Sequence, residues 1–300
     1  MNKLSINACP LCGGTHLKRV MTCTDYYASG EQFDVLSCED CGFTFTQGVP
    51  VEAEIGRYYE TPDYISHSDT KKGAMNAIYH QVRKYMLGKK ARLVAKESHR
   101  KSGRLLDIGT GTGGYFASTM EQRGWKVEAI EKNAQARMFA QEHFGLDVKA
   151  EEELQEFEAG SFDVITLWHV MEHLEHLDET WERLRELLSD RGVLIVAVPN
   201  CSSYDAVKYG KYWAAYDVPR HLWHFTPVTI QQFASKHGFI MAARHPMPFD
   251  AFYVSMLSEK HRGSSFPFMK GMWVGTMAWL GTLTKKERSS SMIYVFRKKR

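Results

Sequence analysis

The stretch that most limits how this chain can fold is "LLDIGTGTGGY", residues 105–115. An apolar run ends in one carboxylate, Asp107, and then gives way to Gly109, Thr110, Gly111, Gly113 and Gly114. Glycines crowded at a strand end mark a sharp turn where backbone comes close to something else. Glu131 lies 20 residues past Gly111, at the end of the next apolar run, "KVEAI". A carboxylate there suits ribose hydroxyls, because it only accepts hydrogen bonds. Strand, glycine turn, helix and acid would serve any adenosine cofactor, so the pattern alone does not choose one. Asp107 does: a carboxylate at the mouth of the loop repels a pyrophosphate but stabilises the ammonium group of S-adenosylmethionine, while loop amides take that cofactor's carboxylate.

From residue 104 onward, apolar strand-like runs alternate with amphipathic helical segments: "RLLDI", "KVEAI", "FDVITLW" and "GVLIVAVP" are the strands. This rhythm predicts an α/β fold, a Rossmann-like sheet with crossover helices. It breaks after Pro199 into a long insertion, residues 199–226, and again into an aromatic-rich one, residues 246–290, before "SMIYVF" closes the chain. The expected organisation is a small module over 1–48, a helical lid or linker over 49–102, and the α/β domain over 103–300. In the linker, Ile78, Val82, Tyr85, Met86, Leu93 and Val94 recur at roughly helical intervals.

The 300 residues are 44% apolar, enough for a substantial core, and 38 basic residues against 35 acidic ones leave a formal charge of +3. The signs are mixed along the chain, which gives no nucleic-acid footprint. No basic segment followed by an apolar run opens the chain, so the expected location is cytoplasmic, with reduced thiols. Cys9, Cys12, Cys38 and Cys41 form a C-x2-C-x25-C-x2-C pattern. Four thiolates so spaced can close around a tetrahedral ion and leave no open position, which predicts a zinc-ribbon-like module with a structural Zn2+. Cys23 and Cys201 read as plain residues.

Two histidine-bearing stretches remain. "HVMEH" places His169, Glu172 and His173 in a pattern seen in zinc hydrolases, but it follows an apolar strand and no third ligand is evident downstream. Glu172, His173 and His176 therefore read as a solvated first turn. The first insertion carries "YDVPRHLWHFTP", with Asp217, Arg220, His221 and His224 flanked by Tyr212, Trp213, Tyr216 and Trp223. Aromatics beside a convergent histidine suit a small polar acceptor, and a histidine can remove its proton.

In order and approximate spacing, "LLDIGTGTGGY", "VEAIEKN", "FDVITLWHVMEHLEH" and "GVLIVAVPN" resemble the core of class I S-adenosylmethionine-dependent methyltransferases. The resemblance implies a seven-stranded sheet whose last strand is antiparallel. By position, Asp107, Gly109, Thr110, Gly111 and Gly113 would form the methionine-side loop, Glu131 would hold the ribose, and the adenine would lie near Ala150 to Glu152. Trp168 and His169 would face cofactor and acceptor. A second likeness, to zinc-containing nucleotide-sugar C-methyltransferases, aligns "RHLWHFT", residues 220–226, with a stretch that holds that family's base histidine. It singles out His221 as candidate base, with Arg220 where that family has an acid and free to pair with an acidic acceptor group.

Residues 56–67 are a candidate lid, with Tyr58, Tyr59 or Tyr64 lining the acceptor site. Residues 266–284 are expected to be a helical cover, with peripheral membrane contact through Trp273 and Trp279 as an alternative. The expected partner is a small-molecule acceptor: a sugar, nucleotide sugar, lipid-linked compound or other metabolite. Competing readings are an RNA methyltransferase that reads nucleic acid with its ribbon, which the ribbon's near-neutral charge opposes, and a non-catalytic scaffold.

Overall fold

The computed structural model of the chain describes residues 3–59, 74–111 and 114–299. Gly113 and Tyr64 lie outside the described residues. The α/β core is a seven-stranded sheet. Its strands in chain order are β4 (Arg104–Ile108), β5 (Lys126–Ile130), β6 (Val148–Lys149), β7 (Phe162–Trp168), β8 (Leu188–Pro199), β10 (Phe239–Met247) and β11 (Ser291–Lys298). Their spatial order is β10-β11-β8-β7-β4-β5-β6. The four contacts among β6, β5, β4, β7 and β8 are parallel, while β11 runs antiparallel to both β8 and β10. This is the expected Rossmann-like sheet, with "SMIYVF" as its antiparallel final strand.

Leu105, Leu106, Asp107 and Ile108 of β4 are all buried, as are Val193 to Val198 of β8. Continuous burial of this kind belongs to central parallel strands covered on both faces. The helices that cover them are amphipathic. In α5 (Leu177–Leu187), Leu177, Trp181 and Leu184 recur every three or four residues and are buried, and Trp181 meets Phe296 edge-on at 5.5 Å. The other crossover helices are α3 (Tyr115–Glu121) and α4 (Ala134–Phe144).

Preceding the sheet are α1 (Glu52–Ile55) and α2 (Ala74–Ser98). The buried stripe of α2 is Ala91, Val94 and Ser98, whereas Val82 and Tyr85 are more than half exposed. Among the described side chains, the expected stripe therefore shifts toward the end that packs on β7 and β8. The side chain of Ile78 lies outside the described residues.

The N-terminal segment forms β1 (Leu17–Thr24), β2 (Gln32–Cys38) and β3 (Thr44–Gln47), an antiparallel meander. A fourth strand completes this sheet from far along the chain: β9 (Trp223–His224), inside the first insertion, pairs Phe45 with Trp223 and Thr44 with His224. Phe43 and Phe45 are fully buried against Trp223, Phe225 and Phe233, in one cluster with Leu106, Ile108 and Leu167 of the large sheet. Each such phenylalanine contributes roughly 2–3 kcal/mol on burial. The same insertion carries α6 (Tyr204–Tyr209), and α7 (Pro227–Lys236) follows it.

The second insertion folds as α8 (Asp250–His261) and α9 (Pro267–Thr284), packed on each other. Their backbones approach closely at Gly271 and Gly275, where an added Cβ would meet Met256 Cα at 2.5 Å and Phe252 Cα at 2.8 Å. The opposite face of α9 exposes Phe268, Met269, Trp273 and Leu283. Among the described residues, no helix is long and apolar enough to cross a membrane.

Candidate active site

The chain visits β4, β5 and β6 on one side of the sheet, then returns to β7 and β8 on the other. The carboxyl ends of β4 and β7 thus flank a topological switch point, where open α/β sheets bind ligands. Asp107, Glu131, Trp168 and His169 stand at the carboxyl ends of β4, β5 and β7.

Within the loop, each glycine answers a different demand. Gly109 has φ +69°, and a Cβ there would lie 2.4 Å from Val170 Cγ2, so packing and dihedral both exclude a side chain. Gly111 has φ +71° but, among the described residues, nothing within 4 Å of where its Cβ would be. Its missing side chain leaves open space over the loop, a cradle that fits a cofactor. The Gly111 amide donates to Glu131 Oε2 at 2.8 Å and the Asn133 amide to Oε1 at 2.9 Å, which fixes the Glu131 carboxylate facing the loop.

Asp107 is 1% exposed and accepts a hydrogen bond from Thr166 Oγ1 at 2.6 Å. Burial is the largest influence on it and outweighs Thr166 and the nearby Lys90 charge, so its pKa is pushed up to about 6. Lys90, on α2, holds its ammonium 4.3 Å from the Trp168 ring centre, and burial lowers its pKa. Phe116 packs edge-on against the other side of this region, 5.3 Å from Trp168. Lys90 and Thr166 escape a reading of the sequence because neither belongs to a motif; only the packing of α2 and β7 against β4 brings them to Asp107.

His169 ends β7 in the left-handed region, φ 59°, an uncommon conformation for a residue with a Cβ and one that concentrates at functional edges. Its Nδ1 is 3.3 Å from Glu172 and its Nε2 3.4 Å from Asp250 at the start of α8. Burial opposes its charge, yet the two carboxylates outweigh burial and lift its pKa to about 9. His169 is therefore a cation at neutral pH and bridges two acids rather than serving as a base.

The expected solvated turn is corrected at Glu172, which is 0% exposed, and at His173, which is partly buried; the His176 side chain is exposed. His173 Nδ1–H donates to the Arg220 carbonyl at 3.0 Å, with Tyr59 Oη 3.1 Å from the same nitrogen. Burial is the main force that lowers the His173 pKa to about 4, so its ring is neutral. His221 Nδ1–H donates to the Ala215 carbonyl at 2.9 Å, and the His173 and His221 ring centres are 4.5 Å apart. Donor atoms of Glu172, His173 and His221 lie within 4.8 Å of one another. Loop and strand end, 47 residues apart in sequence, thus converge on one cluster.

Arg220 is 3% exposed and its guanidinium is committed inside the fold. Nε and Nη2 donate to Asp217 at 3.0 and 2.6 Å, Nη2 also to Asp25 at 3.0 Å, and Nη1 to the Tyr58 carbonyl at 2.8 Å. Its expected pairing with an acidic acceptor group is corrected accordingly: Arg220 pins the insertion to the β1–β2 turn. His224 is likewise structural, with Nε2 2.9 Å from Thr46 Oγ1 and a pKa driven down to about 3 by burial. The aromatics expected around the acceptor mostly serve the core. Trp213 is buried and donates to Asp205 at 2.8 Å, Trp223 is buried and donates to the Leu174 carbonyl at 2.6 Å, and Tyr216 is buried against Trp213 and His224. Of the lid tyrosines, Tyr58 is buried in the core and Tyr59 reaches the His173 cluster.

At the other end of the small sheet, Cys9 and Cys41 sulfurs are 3.5 Å apart and Cys12 and Cys38 sulfurs 3.6 Å apart, with all four within 4.8 Å. Two matching turns make this possible: Gly13 N–H donates to the Cys9 carbonyl and Gly42 N–H to the Cys38 carbonyl, with φ of 76° and 75°. The four thiols are positioned to bind a metal ion. Cys23 and Cys201 are free thiols elsewhere, both pushed up to about 12 by burial.

A family model described as a methyltransferase domain matches residues 78–243. The ubiquinone biosynthesis O-methyltransferase of Caulobacter sp. (strain K31) is 35% identical over 104 residues, 32% of this chain and 41% of the relative, so less than half of that protein's length is matched. Among solved structures, phosphoethanolamine N-methyltransferase 2 of Haemonchus contortus, in complex with S-adenosyl-L-methionine, superposes with TM-score 0.52 and 18% identity over 86% of this chain and 62% of that one. The cyclase SpnF superposes with TM-score 0.50 and 16% identity over 70% of this chain and 80% of that one. At such identities these two structures share the fold with this chain.

Proposed function

The chain belongs to the methyltransferase-domain family, and on that premise we propose that this S-adenosylmethionine-dependent methyltransferase acts on a small-molecule acceptor, with His221 as the base. The observation that carries this reading is the tautomer of His221. A carbonyl oxygen only accepts, so the Ala215 carbonyl holds the ring hydrogen on Nδ1 and leaves a lone pair on Nε2. His221 belongs to the cluster with Glu172 and His173 that follows the carboxyl end of β7. Methyl transfer needs alignment of an acceptor with an already electrophilic sulfonium, and removal of one proton.

In this reading Asp107 faces the cofactor's ammonium, the Gly109–Gly111 turn lets the methionine portion approach the backbone, and Glu131 turns its oxygens to the ribose. Gly113 would complete the loop and Trp168 would wall it. The four cysteines hold a structural Zn2+ that shapes the N-terminal ribbon. Basic residues of that ribbon are paired with acids, Arg19 with Asp34 at 3.4 Å and Lys18 with Glu39 at 3.9 Å, which argues for a small acceptor over RNA. Nucleotide sugars and lipid-linked sugars are the acceptor classes to screen first.

The test is calorimetric titration of S-adenosylmethionine into the full chain, followed by transfer of labelled methyl to those acceptors with wild type and His221→Ala. Labelled small molecule formed by wild type and not by the variant supports the reading. Label that enters RNA alone, or transfer that His221→Ala leaves unchanged, overturns it.

A further inference from the structure

We propose that Glu172, His173 and His221 form a second metal site, for a divalent ion such as Zn2+ or Fe2+, distinct from the four cysteines and adjoining the methyl-transfer edge. The proposal rests on the reading of that edge as the acceptor site. Three observations combine. The donor atoms lie within 4.8 Å of one another. Both imidazoles donate Nδ1–H to a backbone carbonyl, His173 to Arg220 and His221 to Ala215, so each turns an Nε2 lone pair elsewhere. Glu172 is 0% exposed and, among the described residues, its carboxylate has the 3.3 Å contact of Oε1 with His169 and no other side-chain partner.

Such an arrangement is costly on its own. A buried carboxylate normally collects several hydrogen bonds, and here His169, which is shared with Asp250, offsets only part of the desolvation of Glu172. Its neighbours His173 and His221 each have Nδ1–H committed to a backbone carbonyl, so Nε2 is the nitrogen each can offer to an ion. A backbone carbonyl on the distal ring nitrogen is the arrangement that orients metal-ligating histidines and fixes their tautomer. Bonds of about 2.0–2.2 Å in tetrahedral geometry place donor atoms roughly 3.3–3.6 Å apart, so donors that lie within 4.8 Å of one another close in by up to about an ångström to complete the site.

The surrounding charges fit one divalent ion. His169 lies 3.3 Å from Glu172 and is shared with Asp250, while Asp217, 3.9 Å from His221 Nε2, is already held by Arg220. Two imidazoles and one carboxylate favour a borderline ion over Mg2+ or Ca2+, which prefer oxygen ligands. Three protein ligands also leave coordination positions open, in contrast to the closed four-thiolate site. With the ion in place His221 Nε2 is a ligand and not the base, and the ion takes over that part: an acceptor hydroxyl at an open position would lose its proton to solvent more readily. Its oxygen then forms the new bond to the methyl carbon as the S–CH3 bond breaks, with both electrons of that bond returning to sulfur to give S-adenosylhomocysteine. The HVMEH stretch thus supplies a ligand pair different from its zinc-hydrolase pattern: His169 turns to Asp250, and the missing third ligand comes from the insertion.

The test is cobalt titration of the metal-stripped full chain, read by absorption. Thiolate-bound cobalt shows an intense charge-transfer band, and a nitrogen-and-oxygen site shows only weak d–d bands. We expect both signatures in wild type, with the thiolate band lost in Cys12→Ser and the weak bands lost, by at least about tenfold in affinity, in Glu172→Gln, His173→Gln and His221→Ala. Cofactor titration of the same variants checks folding. A wild type that shows only the thiolate signature overturns the proposal without reference to any variant, as do weak bands that survive in all three. A second ion bound by a chain that methylates no small molecule would uphold the site and fail the function. Full-rate transfer by the stripped enzyme would overturn a role for the ion in transfer and leave His221 as the base.

Discussion

Cofactor affinity should depend on pH through a single buried carboxyl. In the free chain Asp107 is held at about 6 by burial, against an ordinary value of 3.8. The proposed partner, an ammonium group, needs the carboxylate, so below pH 6 binding must first expel a proton. At pH 5 about one-tenth of the Asp107 side chains are ionised and at pH 7 about nine-tenths, so the Kd for S-adenosylmethionine should weaken roughly tenfold, about 1.4 kcal/mol, between pH 7 and pH 5. Titration calorimetry at pH 5, 5.5, 6 and 7, in two buffers of different ionisation enthalpy, would also show proton release that grows as pH falls. Asp107→Asn should bind more weakly at pH 7 and with little pH dependence. A wild-type Kd flat from pH 5 to 7, or the same slope in Asp107→Asn, would refute the reasoning. The raised pKa acts on stability in the opposite sense. Between about pH 4 and 6 the native chain keeps a proton that the unfolded chain has lost, so this residue's contribution falls by up to about 3 kcal/mol as pH rises through that window and is constant above it.

Arg220→Ala leaves Asp25 and Asp217 without their cation and should cost about 3–5 kcal/mol, seen as a lower urea midpoint; Arg220→Lys should not restore it, since one ammonium cannot reach both acids and the Tyr58 carbonyl. Gly109→Ala should destabilise the fold by about 2 kcal/mol or more, because its Cβ would lie 2.4 Å from Val170 Cγ2. Gly111→Ala, with open space at that position, should lose more cofactor affinity than stability, and the two variants compared by melting and calorimetry separate packing from ligand approach. A strong chelator should lower the melting temperature of wild type and leave Cys12→Ser, already destabilised, nearly unchanged.

Periodicity and local chemistry determined a good deal. Apolar runs alternating with amphipathic helices can be satisfied by a sheet covered on both faces, and "LLDIGTGTGGY" could end its first strand only in a turn that glycine tolerates. Asp107, Gly109 and Gly111 follow from that turn because they are local to it, and Glu131 from its place at the end of the next apolar run. The paired cysteines are legible for the same reason: two short turns present four sulfurs whatever the rest of the chain does. What sequence could not decide is which distant segments meet. Arg220 stands where a substrate ligand was expected, and only the closure of β9 onto β3 commits it to Asp25 and Asp217. The buried state of Glu172 and the meeting of His173 with His221 depend on the first insertion folding back over the end of β7, and the bridging cation His169 on the second, which brings Asp250 there. Titration behaviour and ligand geometry are set by burial and by neighbours a few ångströms away, and those neighbours are fixed by the packing of the whole chain rather than by the order of its residues.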